Sequence, residues 1–295
     1  MFKRFTEFNI KTGIDKIECF GVSLDNEKVI QMKCYKWVCK EDKKTFKDKC
    51  YCKLLDTIEK ENLGYLFDYT KEVYNNKIVY RASCKIKSCS IYNGVKLLEK
   101  LKTYLDNSSY EKLITFYNLV CKCLKAEKSP LVEVGIKFIE GESIFDIKIY
   151  YSLRKFEGVG DILGKIMGFN ENINLFNKVF AFFDVNKLKQ SKIIAISKNL
   201  EKNGYLPTLF GIDKNYYGII CKIYYELTDY EERILKLNNK LKQLFTEISA
   251  YMNICTEKLY EIVLYYEKID FYLRGIAFDF TLRNNYLKLY FYHKE

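Results

Sequence analysis

The sequence predicts an α+β domain in which ten antiparallel strands, delivered as five ββ hairpins, close into a β-barrel surrounded by α-helices. Three observations predict it. Runs of alternating apolar and polar residues come in pairs around short polar turns, the pattern of hairpins. Helical periodicity fills the stretches between the pairs. Four hairpins contain a glycine followed by a β-branched residue, Gly21-Val22, Gly135-Ile136, Gly211-Ile212 and Gly275-Ile276, and each is followed 11 to 13 residues later by the lysine of a Lys-x-Tyr element: Lys33, Lys148, Lys222 and Lys288.

Taken in order, residues 1–16 read as a helical or irregular lead-in. The first hairpin follows over 17–25 and 28–38, turning at Asn26-Glu27. A lysine-rich stretch, 39–49, reads as exposed, and 50–62 has helical character. The second hairpin, 63–86, is degenerate: Gly64 is followed by Lys77, but position 79 is valine, with Tyr80-Arg81 just after. Over 91–127, Val95, Leu98, Leu101 and Leu105 and then Leu113, Phe116, Leu119 and Val120 share a helical stripe, and Ser129-Pro130 ends the helix. The third hairpin spans 131–153 around the turn EGES. Residues 158–204 start with spaced glycines and continue as helices, and the fourth hairpin covers 206–227. A long helix is expected over 228–268, with Thr228 and Asp229 as cap candidates, before the fifth hairpin at 271–293.

Composition narrows the class. With 48% hydrophobic residues in 295 the chain can bury a full core, and with only Pro130 and Pro207 and no linker-like segment it reads as one domain, 1–295. Its formal charge of +11 suits a phosphate ligand, a nucleic acid or a membrane surface, but the lysines are scattered rather than gathered into one arm. The N-terminal MFKRFTEFNIKTG has no apolar signal region, so the eleven cysteines are expected reduced in a cytoplasmic protein. Cys39, Cys50 and Cys52 and the pair Cys121-x-Cys123 do not form the paired knuckles of a structural zinc site. No apolar run approaches the ~18 residues of a spanning helix. There is no P-loop, no Asp-Asp-x-x-Asp, and the only histidine is His293, which leaves little basis for a histidine triad.

A solenoid would satisfy the repetition, but the repeats exceed 50 residues and vary in length. Closure is the better solution, because it abolishes the strand edges. Alternation then sends Ile147, Ile149, Tyr151, Ile223 and Tyr225 outward to the helices and the Lys-x-Tyr residues inward. In YLKLYFYH (286–293), Lys288, Tyr290 and Tyr292 share one face and Leu287, Leu289 and Phe291 the other. Several lysines pointing into one interior repel one another unless an anion neutralises them. A diphosphate is the natural candidate, since ammonium and phenol groups both donate to its oxygens. Aromatic rings, 16% of the chain, can shield an electron-poor carbon.

This layout resembles the aromatic prenyltransferases of the ABBA, or PT-barrel, type, and within them is most similar to the cyanobactin-type peptide prenyltransferases. The narrower likeness rests on Ile17-Glu18 in the first strand and on the C-terminal Gly-Ile hairpin ending in an aromatic strand. The resemblance implies transfer of an allylic isoprenoid, dimethylallyl or geranyl, from its diphosphate to an aromatic small molecule or a peptide side chain. It implies a diphosphate ring of Lys33, Lys148, Tyr150, Lys222, Tyr224, Lys288 and Tyr290, with Arg81 standing in on the degenerate hairpin. It also implies that Glu18 orients the acceptor or takes its proton. Mg2+ assists some members of that family and is the one cofactor the resemblance admits, although no ligand set is visible. A monomer is expected, with neither nucleic acid nor membrane as partner. Two rivals stay open at this point: a non-catalytic basic β protein that binds nucleic acid or another polyanion on an exposed sheet face, and a catalytically dead PT-barrel used as a scaffold. The first is separated from the enzyme by where the Lys-x-Tyr faces point.

Overall fold

Ten strands arrive in pairs. β1 (Cys19–Asp25) and β2 (Lys28–Val38), β3 (Gly64–Tyr74) and β4 (Lys77–Ile86), β5 (Leu131–Ile139) and β6 (Asp146–Ser152), β9 (Tyr205–Asn215) and β10 (Gly218–Leu227), and β11 (Phe271–Asp279) and β12 (Tyr286–His293) are the five hairpins. The computed structural model describes residues 19–25, 28–38, 64–74, 77–86, 89–139, 146–155, 165–215, 218–227, 239–279, 281 and 286–293. Within these, β2, β3 and the first part of β4 are described by their backbone course alone. The segments 39–49 and 50–62 and the cap candidates Thr228 and Asp229 lie outside the described residues.

The strands form a closed barrel in the order β1-β12-β11-β10-β9-β6-β5-β4-β3-β2, with β2 returning to β1. All of the barrel pairings are antiparallel. This is the architecture the sequence predicts. Between the second and third hairpins run α1 (Ile91–Leu101) and α2 (Asn107–Leu124), and between the third and fourth run α3 (Ile173–Phe182) and α4 (Lys187–Lys202). Before the last hairpin come α5 (Asn239–Met252) and α6 (Thr256–Glu267). A short hairpin of β7 (Arg154–Lys155) and β8 (Lys165–Ile166), not expected from the sequence, forms a separate two-stranded sheet.

Short polar side chains set the helix starts. Ser90 Oγ accepts from the Asn93 amide at 3.2 Å, Asp106 Oδ1 from the Ser109 amide at 2.8 Å, and Asn186 Oδ1 from the Lys189 amide at 2.9 Å. The helix expected over 91–127 is two helices, α1 and α2, and the second ends sooner than Ser129-Pro130: Lys125 adopts a left-handed conformation, φ 49°, and caps α2. The long helix expected over 228–268 is two helices in its described part, interrupted where Asn253 has φ 54°. Asparagine tolerates that conformation better than most residues.

The main core lies between the outer barrel wall and the helices. Phe20, Ile147, Ile149, Tyr151, Ile223, Tyr225, Leu287, Leu289 and Phe291 are buried there with Leu113, Phe116, Ile196, Leu244 and Ile262 from the helices. Aromatic contacts join the layers. Tyr266 of α6 stacks on Phe291 with centroids 4.4 Å apart, and Phe116 of α2 meets Tyr151 edge-on at 5.2 Å. Tyr225 and Ser197 share a buried hydrogen bond through their hydroxyls. Among the described residues no helix is long and apolar enough to cross a membrane, and no disulfide joins the described cysteines.

Register explains the recurring glycines. Gly21 pairs with Lys33, Gly135 with Lys148 and Gly211 with Lys222. The last hairpin departs from this rule: Gly275 pairs with Tyr290, and Lys288 pairs with Ala277. On the degenerate hairpin Gly64 pairs with Ile86 and not with Lys77. Gly211 is glycine because its inward side is already filled: a Cβ there would lie 2.7 Å from Tyr224 Cε2 and 3.2 Å from Tyr150 Cε1. Gly211→Val should therefore cost about 1–3 kcal/mol through overpacking, read as a lowered urea midpoint. A variant as stable as the wild type would mean the two rings yield freely.

Candidate active site

Alternation carries a second set of side chains to the inner face. Lys148 and Tyr150 come from β6, Lys222 and Tyr224 from β10, and Lys288 and Tyr290 from β12. Three of the four predicted Lys-x-Tyr elements thus meet inside one barrel. Their ammonium groups are withdrawn from solvent: Lys148 is 3% exposed, the Lys222 side chain 12% and Lys288 5%. Tyr150, Tyr224 and Ala277 form a small apolar cluster apart from the main core, with Val132, Leu209 and Tyr290 against it. The three tyrosines run in series, with ring centroids 5.5 Å apart from Tyr150 to Tyr224 and 5.9 Å from Tyr224 to Tyr290. Lys288 Nζ sits 5.0 Å from the centre of the Tyr290 ring, a cation–π distance.

The fourth element and its stand-in are fixed by backbone register. Lys33 pairs with Gly21 on β1 and Glu72 on β3, and Arg81 pairs with Thr70 and with Lys137. Glu18 lies outside the described residues.

The inner face also holds residues the sequence reading missed. Asp213 on β9 accepts from Lys148 Nζ at 2.8 Å and from Lys222 Nζ, both on Oδ2. Its Oδ1 is buried without a hydrogen-bond partner. Beside it, Asp146 pairs with Lys137 at 3.6 Å through Oδ2, and its Oδ1 is likewise unpartnered. The hydroxyls of Ser23, directly opposite Lys288, and Ser83, opposite Gly135, are buried and unpartnered too. Alternation alone could have found these residues. Asp213 lies two residues past Gly211, Asp146 two before Lys148, and Lys137 two past Gly135.

The acids change the charge of the site. Lys137, Lys148 and Lys222 face Asp146 and Asp213, so these five groups carry one excess positive charge when all are ionised. The sequence reading has lysines awaiting an anion, whereas Lys148 and Lys222 already share an internal counter-ion. Burial is the largest influence on Lys148, opposed by Asp213 and reinforced by Lys222 and Lys137, and its pKa is lowered to about 8. Burial pushes Asp213 upward, but Lys148, Lys222 and Lys137 together outweigh it and hold the carboxyl well below its ordinary range. Asp146 moves the other way, raised by burial and by the Asp213 charge against the pull of the lysines.

A Mg2+ ion does not fit the described donor set. No three His, Cys, Asp or Glu side chains converge among the described residues, and Asp146 and Asp213 are each engaged by lysine.

Comparison with known proteins bears on the same barrel. The sequence matches no family model and no curated protein. Its fold, however, matches solved structures. It resembles AnaPT from Neosartorya fischeri at 13% identity, with a TM-score of 0.58, over 94% of this chain and 78% of that one. It resembles the NotF prenyltransferase, solved in complex with brevianamide F and DMSPP, at 9% identity with a TM-score of 0.58, over 94% and 79%. It resembles the apo form of the prenyltransferase PriB at 8% identity with a TM-score of 0.55, over 94% and 80%. The chain therefore has the ABBA-type prenyltransferase barrel, as the resemblance implies.

Lys148 gives the site a pH signature. Its folded pKa of about 8 lies below the ordinary lysine value. Between the two values the unfolded chain keeps a proton that the folded one has shed, so stability rises with pH in that window. Relative to Lys148→Met, the wild type should gain roughly 1–2 kcal/mol between about pH 8 and 9.5, measured by urea denaturation. A constant difference would show that Lys148 is not depressed.

Proposed function

We propose that this protein is a prenyltransferase that moves an allylic isoprenoid, dimethylallyl or geranyl, from its diphosphate to an aromatic or peptide side-chain acceptor. The observation that carries the reading is the convergence of Lys148, Lys222 and Lys288, each with its tyrosine, on the inside of one closed barrel. A protein that bound nucleic acid on an outer sheet face would turn these residues outward. The NotF complex, whose barrel is alike, holds DMSPP together with brevianamide F.

In this reading the diphosphate lies against Lys148, Lys222 and Lys288, with Tyr150, Tyr224 and Tyr290 beside it and Lys33 and Arg81 completing the ring. The buried hydroxyls of Ser23 and Ser83 are further donors at the same levels of the barrel. As the carbon–oxygen bond of the donor breaks, negative charge grows on the departing diphosphate. Fixed ammonium and phenol donors in a water-poor interior stabilise that growth more than they stabilise the intact donor. The allylic fragment becomes cation-like, and the tyrosine faces stabilise it by cation–π attraction. The acceptor atom attacks the allylic carbon and loses its proton, for which Glu18 is the proposed acceptor. The kinship with cyanobactin-type enzymes belongs to the same proposal, and it puts peptides in the acceptor screen beside phenols and indoles.

Two sets of variants test this reading. Lys222→Ala and Lys288→Ala should each weaken dimethylallyl thiolodiphosphate binding on the order of 10–100-fold, the worth of a charged hydrogen bond, with circular dichroism unchanged. Wild-type affinity in both would remove the lysines from the donor site. Glu18→Gln should slow prenylation of whichever acceptor the screen identifies while leaving donor affinity within about twofold, since its carboxylate meets the acceptor only. An unchanged rate removes Glu18 from the mechanism.

A further inference from the structure

We propose that Asp213 is the positioning residue of the donor site: by taking Lys148 and Lys222 on one carboxylate oxygen, it holds two ammonium groups adjacent and charged on the barrel's inner wall, ready for one diphosphate. The inference rests on the donor reading above and adds to it a residue that the motif pattern does not contain.

The geometry carries it. Lys148 reaches Asp213 from β6 on one side of β9, and Lys222 reaches it from β10 on the other. One carboxylate therefore bridges three neighbouring strands. Lys148 and Asp213 are direct cross-strand partners, and Lys222 pairs with Gly211, two residues away on the same face of β9. Two buried ammonium groups this close repel each other, and neither is stable charged unless a counter-ion lies between them. Each ammonium has three N–H donors, of which Asp213 takes one. The bond fixes where Nζ sits while further N–H vectors point elsewhere. That pre-arrangement reduces the ordering the donor would otherwise impose on two long side chains.

The neighbours matter to the sign. Among the described residues the charged groups that act on Lys148 are Lys137 on β5, Asp146 on β6, Asp213 on β9 and Lys222 on β10. Asp146 is engaged by Lys137, so loss of Asp213 leaves Lys148 with no carboxylate bonded to it among the described residues. Lys148, buried beside Lys222, then sheds its proton closer to neutral pH than it does with Asp213 in place. The positioning role thus differs from mere competition with the donor. A competing carboxylate, once removed, would improve anion binding at every pH. A positioning carboxylate, once removed, improves it only at low pH, where both lysines are charged anyway, and harms it at high pH.

The test uses the full chain, with inorganic pyrophosphate as the probe. Lysine labelled with 13C at Cε reports the Lys148 titration by NMR with no ligand present. In Asp213→Asn the midpoint should fall by roughly 1–1.5 pH units, and Asp213→Glu should restore it in large part. The ratio of variant to wild-type pyrophosphate Kd, in which the ligand's own titration cancels, should rise to about tenfold at pH 8 and fall to unity or below at pH 6. An unmoved Lys148 midpoint, or tighter pyrophosphate binding by Asp213→Asn throughout pH 6–9, overturns the proposal. If Asp213→Asn does not fold, Lys222→Met/Asp213→Asn removes the repelling pair and keeps the test. Relative to Lys222→Met, its Lys148 midpoint should fall, and an equal midpoint overturns the proposal. If the wild type binds no pyrophosphate, the donor reading fails, while the NMR midpoint still decides whether Asp213 holds the lysines charged.

Discussion

In a closed antiparallel barrel the side-chain period is two and no strand has an unpaired edge, so each strand answers to two environments at once. Here the outward set meets helices and the inward set meets other strands' inward sets. β6 shows the division in seven residues: Ile147, Ile149 and Tyr151 join the main core, while Asp146, Lys148, Tyr150 and Ser152 are the intervening positions. All seven are buried, yet the two faces are chemically opposite. Only a fold that encloses an interior separate from its core gives both faces a use.

The polar interior is tolerable because its charges are organised. Lysines alternate with carboxylates across the strands: Lys137 with Asp146, and Lys148 and Lys222 with Asp213. Buried ion pairs of this kind contribute little net stability, because desolvation consumes most of the Coulombic gain. Their value lies in placement. The barrel supplies stability through the outer core, where Tyr266, Phe291, Phe116 and Tyr151 interlock, and thereby holds an interior that would not fold by itself. One excess positive charge is left over, and it is this charge that the proposed diphosphate would meet.

Much of this was legible in the sequence, and the exceptions have physical causes. The five hairpins could be read because each places its alternating runs side by side around a short turn, a local signal. The Lys-x-Tyr repeat could be read because alternation fixes which face it occupies once the strands are known. The break between α5 and α6 could not, since apolar spacing runs through Asn253, where a left-handed backbone, followed by an extended Cys255, interrupts the helix. Nor could the register of the last hairpin, where equal spacing to that of the third hairpin puts Gly275 opposite a tyrosine rather than a lysine. Asp213 was missed for a related reason. Alternation puts it on the inner face, but its bond to Lys148 joins residues 65 apart in sequence, across strands of two different hairpins.

The central claim is that the lysine and tyrosine interior is a prenyl-diphosphate site and not a generic anion trap. The most direct measurement is a calorimetric titration of the protein with dimethylallyl and geranyl thiolodiphosphate, against inorganic pyrophosphate, with and without Mg2+. The account predicts that one prenylated analogue binds more tightly than pyrophosphate, because the tyrosine series gives the isoprenoid chain an apolar surface beside the charges. Equal affinity for all three, or binding to none, would contradict it.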